Sequence, residues 1–143
     1  MQRVFLDANI LFSAAYREKA GLLRLWQLPG VDLVTSSYAA QEANANLSEP
    51  SQKKRLAMLL NSVAVMPHPA ALPGLPSGMS LPAKDTPIFQ AAMRAGASVL
   101  LTGDVAHFGR FFGKTIAGVR ILLSADFLRS LKSDHGDLSS LIP

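Results

Sequence analysis

The chain has no cysteine. Disulfide scaffolds, cysteine-ligated zinc, iron–sulfur clusters and thiol catalysis are thereby excluded, and the absence fits a reducing cytoplasmic setting. There is also no apolar run of about 18 residues, the length a membrane-spanning helix needs, so no membrane partner is expected. The amino-terminal apolar stretch is broken by Asp7 and no clean cleavage region follows it. It reads as a first strand, Val4-Phe5-Leu6, rather than as a signal peptide. Acid is scarce as well: seven aspartates and three glutamates stand against fourteen lysines and arginines, for a formal charge of +4. The basic residues are spread along the chain, among them Arg17, Lys19, Arg24, Lys53, Lys54, Arg55, Arg94, Arg110 and Lys114. That balance favours a polyanion as partner, with solvated surface as the bland alternative.

What is present suits one domain. A chain of 143 residues is long enough to bury a core without cross-links. Apolar residues at helical spacing (Ile10, Leu11, Ala14, Leu22, Leu25, Trp26) predict one helix from Ile10 to Leu28, stopped by Pro29-Gly30. Val31 to Thr35 reads as a second strand, with Ser36 or Ser37 capping a helix that holds Glu42. Pro50 and Ser51 open another helix, and Val63 to Met66 reads as a strand. From Pro67 to Pro82, five prolines and two glycines preclude regular structure. Asp85-Thr86-Pro87 then starts a helix, with Asp85 as its expected N-cap, and Gly96 ends it. Val99-Leu100-Leu101 is nearly continuous, as a central parallel strand would be. Val119 to Leu123 and Ser124 to Leu131 supply a last strand and a last helix, and residues 132–143 form a polar tail. Strands alternating with helices imply an α/β domain over residues 1–131, a central parallel sheet covered on both faces.

The few acids fall where such folds keep their chemistry, outside the carboxyl ends of strands. Asp7 follows the first strand, Asp104 the strongest one, Asp85 opens the helix before it, and Glu42 lies in the helix after the second strand. Four carboxylates brought together repel one another. With no cysteine and three histidines, the natural neutraliser is a hard, oxygen-loving cation, Mg2+ or Mn2+. Asn9 could orient Asp7 and Thr102 could support Asp104 from beside it. Each residue taken alone has a plainer reading: caps and turns for the aspartates, a solvated helix position for Glu42, a cap for Asn9, an ordinary strand position for Thr102, and a structural or surface role for His107. The functional reading rests on the set.

Four segments of the sequence resemble the PIN-domain family, including its VapC-type toxins: Val4-Phe5-Leu6-Asp7-Ala8-Asn9-Ile10-Leu11, Ser36 to Leu47, Lys84-Asp85-Thr86-Pro87-Ile88-Phe89-Gln90-Ala91-Ala92, and Leu100-Leu101-Thr102-Gly103-Asp104-Val105-Ala106-His107-Phe108. The resemblance implies a single PIN-like three-layer α/β/α domain, divalent-metal binding and cleavage of RNA. It makes Asp7, Glu42, Asp85 and Asp104 the catalytic, metal-holding acids, with Asn9 and Thr102 supporting them. An antitoxin protein is then a candidate partner. Leu22, Leu25 and Trp26 read first as core, with a homodimer or antitoxin surface as the alternative. A haloacid-dehalogenase-like phosphatase is disfavoured because its second aspartate is replaced by Asn9, and a response-regulator receiver because Pro67 follows the middle strand where its aspartate would stand. The rival of a different class is a catalytically silent PIN-like module that binds RNA or protein. The longer proline-rich loop, and Lys84 beside Asp85, are the departures that bear on substrate access.

Overall fold

Apolar and β-branched runs become the strands of one sheet. In the computed structural model, which describes residues 2–68 and 74–134, β1 is Gln2–Leu6, β2 Val31–Ser36, β3 Ala64–Met66, β4 Val99–Leu101, β5 Thr115–Ile116 and β6 Val119–Leu122. The helices are α1 Ala8–Ala15, α2 Ser37–Asn46, α3 Pro50–Leu60, α4 Thr86–Arg94, α5 Val105–Phe108 and α6 Ser124–Asp134, with short 3-10 segments at Gly21–Gln27 and Gly109–Phe111. The result is an α/β/α sandwich with a mostly parallel sheet in the order β3-β2-β1-β4-β6-β5. β5 alone pairs antiparallel, against β6.

The order explains where a site can form. From β1 the chain moves outward through β2 and β3, then returns to lay β4 on the other side of β1. The winding therefore reverses between β1 and β4, and in open parallel sheets the crevice outside the carboxyl ends at such a reversal is where ligands bind. Both flanking strands are fully buried along Val4-Phe5-Leu6 and Val99-Leu100-Leu101, which is why those runs lack the alternation of a half-exposed strand. Asp7 N–H donates to Leu101 O across this seam at 3.0 Å, so the two strand ends are tied at the point where the acids begin.

Local sequence accounts for most boundaries. Pro50 starts α3 behind a reciprocal capping box between Glu49 and Gln52. Gly96, with φ of +68°, ends α4 in a left-handed conformation. The single helix expected from Ile10 to Leu28 is corrected: α1 stops at Ala15 and a separate 3-10 turn covers Gly21–Gln27. The exposed segment Tyr16-Arg17-Glu18-Lys19 offers no apolar residue to the core and interrupts the buried stripe, so the helical pattern has nothing to pack there. Leu25 is buried, and Leu22 and Trp26 pack against the core; the Trp26 indole N–H also donates to Leu59 O at 3.0 Å. Those residues serve packing, as their first reading had it. The last helix runs to Asp134 rather than Leu131. Of the proline-rich stretch, residues 69–73 lie outside the described residues, as does the tail from 135; residues 74–82 contain no helix or strand. No described helix is long and apolar enough to cross a membrane.

Candidate active site

Asp7 is held from three directions. It stands at the N-cap of α1, and its Oδ1 accepts from Ala8 N–H at 2.6 Å. Its Oδ2 accepts from the Thr102 hydroxyl at 2.8 Å and from the Asn9 amide at 3.2 Å. Capping is therefore real, but it uses one oxygen only. Burial pushes the Asp7 carboxyl up from 3.8 to about 6; the Thr102 and Ala8 bonds pull against that, and Glu42 and Asp85 add to it.

Asn9 and Thr102 form the bridge between the two strand ends. Asn9 is the second residue of α1 and not its cap. Its amide nitrogen reaches Asp7 Oδ2 and, at 3.3 Å, Thr102 Oγ1, while its carbonyl oxygen accepts from Gly103 N–H at 2.7 Å. Thr102 is fully buried, and its Oγ1 also accepts from Asp104 N–H at 3.1 Å. A single hydroxyl thus links the backbone of one acid to the carboxylate of another.

Asp85 and Asp104 meet at His107. Asp104 caps the short α5 by accepting from His107 N–H at 3.1 Å, and its Oδ2 lies 2.8 Å from His107 Nδ1. The same ring nitrogen lies 2.7 Å from Asp85 Oδ2. The ring nitrogen thus faces both carboxylates at once, and no other group among the described residues donates to Asp85 Oδ2. Asp85 occupies the N-cap position of α4, yet its side chain caps nothing. Its ψ of −19° is helical rather than extended, which turns the carboxylate away from the helix N–H groups. Burial raises its pKa; His107 opposes this, Asp104 reinforces it, and Lys84 opposes it more weakly.

The remaining acid enters from α2. Glu42 lines a cavity of about 340 Å³ together with Asp7, Ala8, Asn9, Phe12, Asn46, Lys84 and Asp85. One turn earlier, the Tyr38 hydroxyl donates to Lys84 O at 2.9 Å, fixing the peptide before Asp85; its phenol pKa is raised by burial and by Glu42, Asp85 and Asp7. Lys84 is exposed at the cavity wall. Three predicted acids thus share one cavity, and the fourth, Asp104, adjoins it through His107 and Thr102. His107 is the residue that sequence reasoning passed over. The signal for it was its i+3 spacing from Asp104 at a helix start, which brings the two side chains together.

The arrangement could hold a metal ion. Most of its donors are carboxylate oxygens, Asp85 Oδ2 shares its one near donor, His107 Nδ1, with Asp104, and one ligand atom each from Asp85, Asp104 and His107 lies within 4.8 Å of the others.

No family model and no curated protein matches the sequence. Solved structures do match its fold. The PIN domain of RRP44 from T. brucei aligns over 99% of this chain and 87% of its own, with a TM-score of 0.60 at 14% identity. The chain has a PIN-domain fold. A chain from VapBC2 of Rickettsia felis, determined bound to a DNA fragment from their promoter, aligns over 84% of this PIN-like chain and 97% of its own, with a TM-score of 0.61 at 16% identity. These likenesses extend across nearly the whole PIN-like domain and concern its fold.

Proposed function

We propose that the chain is a metal-dependent endoribonuclease that hydrolyses RNA phosphodiester bonds at Asp7, Glu42, Asp85 and Asp104. The observation that carries this reading is Asp85: a buried carboxylate whose one near donor, His107 Nδ1, also faces Asp104, set among other acids at the switch point of a PIN fold. Burying carboxylates close together costs free energy through desolvation and mutual repulsion, a cost that a cation would offset. Asp7, Glu42 and Asp85 would hold the ion in the cavity, with Asp104 and His107 beside them. When bound, Mg2+ or Mn2+ supplies charge neutralisation, activation of water and polarisation of the phosphate.

The chain's own residues prepare the site. Thr102 and Asn9 fix the Asp7 carboxylate so that it need not reorganise when a ligand arrives. His107 Nδ1 lies between the Asp104 and Asp85 carboxylates and keeps the two turned toward each other. Tyr38 secures the peptide leading into Asp85. The likeness to a VapBC2 chain supports a narrower reading, a toxin paired with an antitoxin protein. The alternative of a catalytically silent RNA- or protein-binding module has less to support it, since it gives no reason for four acids gathered around one cavity.

The test is cleavage of a mixed RNA pool by purified protein with Mg2+ or Mn2+ and with EDTA, beside Asp7→Asn and Asp104→Asn. Metal-dependent cleavage that both variants lose is expected, each exchange removing a negative charge at nearly constant volume. Full activity in both variants would falsify the proposed site. In parallel, Mn2+ binding measured by calorimetry should weaken in Asp7→Asn.

A further inference from the structure

The cavity does not end at the acids. Ala8, Phe12 and Tyr16 follow one another at i, i+4 spacing, so they form a single row along α1. Ala8 and Phe12 line the cavity, and across it Glu42 and Asn46, again four apart, form the facing row on α2. The α1 row continues outward to Tyr16, whose ring lies 5.4 Å from that of Phe12 at a tilt of 41°. Tyr16 is 54% exposed. Its backbone, in contrast, is firmly held. Tyr16 O accepts from Gln52 Nε2 at 3.1 Å and from an Arg55 guanidinium nitrogen at 3.2 Å, and Arg55 Nε donates to Ala15 O at 3.0 Å.

This combination is unlike a stray surface aromatic. The ring is presented to solvent from a pinned backbone, a cation stands at its base, and an aromatic neighbour leads inward to the acidic centre. Single-stranded nucleic acid is bound by such aromatic steps with cations interleaved, because every base has a stackable face. From Phe12 to Tyr16 the helix rises about 6 Å, a span suited to successive unstacked bases. Asn46, exposed on the opposite wall, offers an amide that can both donate to and accept from a base edge.

We infer that Phe12 and Tyr16 form a stacking platform for unpaired nucleobases, which feeds a single strand of RNA along the groove between α1 and α2 toward the acidic centre. The platform rests on the ribonuclease reading for its substrate class, but its binding step can be measured without cleavage. Recognition on this surface is of base faces, so strands with unpaired bases are preferred over duplexes.

The experiment is fluorescence anisotropy with a short labelled single-stranded RNA and full-length protein, in the Asp7→Asn background so that the RNA stays intact. Tyr16→Ala is expected to weaken binding about tenfold and Tyr16→Phe to stay within about twofold of the parent. Circular dichroism checks that both variants fold. An RNA of equal length carrying abasic residues is expected to bind the parent and Tyr16→Ala equally. Unchanged affinity in Tyr16→Ala overturns the platform and leaves the exposed ring to a protein partner. A loss equally large for abasic RNA overturns it too, since stacking would not be the cause. Failure of the nuclease reading looks different: Tyr16-dependent, base-dependent binding by a wild-type protein that cleaves nothing would keep the platform and discard the enzyme.

Discussion

At the scale of single residues, Asp7 carries an electrostatic cost that makes stability sensitive to pH when no metal is bound. Its carboxyl ionises near 3.8 in an unfolded chain and at about 6 in the fold. Between those values the folded chain keeps a proton that the unfolded chain has released. Stability from the protonated group is therefore complete below about 3.8 and is lost as pH rises through about 6. The gap corresponds to about 3 kcal/mol at about 1.4 kcal/mol per pH unit, and the raised pKa of Asp85 acts in the same direction. In EDTA, urea midpoints should fall as the pH is raised through this window, and Asp7→Asn should flatten the decline. Midpoints that do not change across the window would contradict the burial account. Thr102 gives a second prediction. Thr102→Val leaves Asp104 N–H and one Asp7 oxygen short of a partner, so it should cost about 1–3 kcal/mol and depress cleavage. Thr102→Ser keeps the hydroxyl and should restore most of both, as denaturation and activity assays would show.

Much of this was legible residue by residue. Asp7 and Asp104 follow recognisable strand ends, and Asn9 and Thr102 stand beside them in sequence. What sequence could not supply was the partnership between distant atoms. His107 bridges toward Asp85, which lies on another helix, and no local spacing announces that. Asp85 was expected to cap α4; its backbone angle decides otherwise, and backbone angles of this kind are set by packing.

At the scale of elements, sequence pattern succeeds where burial is continuous and fails where it is brief. β4 throughout and β1 from Val4 to Leu6 are buried and were evident as apolar runs, whereas β5 is two residues long and leaves no period to detect. One helix was expected through Lys19 because spacing on either side of an exposed segment happened to agree in phase. β4 is the element on which both halves of the sheet depend, since it pairs with β1 on one side and β6 on the other. Leu100 at its centre is fully buried. Leu100→Ala should cost about 2–5 kcal/mol, read as a lower urea midpoint with an unchanged slope. A cost below about 1 kcal/mol would mean that the sheet centre is less tightly packed than its burial indicates.

At the scale of the whole molecule, the surplus charge of +4 surrounds a centre that is locally acidic. On the proposed reading the two features divide the work: dispersed lysines and arginines would attract a polyanion over distance, while the acids would hold a cation at short range. RNA binding should therefore weaken as salt rises, in a linear double-logarithmic plot. Affinity independent of salt, measured with the same labelled RNA, would remove the role given to the basic surface.

The return of the chain to lay β4 beside β1 also bears on synthesis. β1 is synthesised before the strands it pairs with, and its parallel partner on that side lies nearly a hundred residues downstream. Parallel pairings over such separations close late. Until β4 emerges, Asp7 has no Thr102 to hold it, and Asp104 has not yet been made. A cell translating this message would meet an assembled acidic centre only after most of the chain had left the ribosome, a built-in delay for a protein whose proposed substrate is the kind of molecule being read.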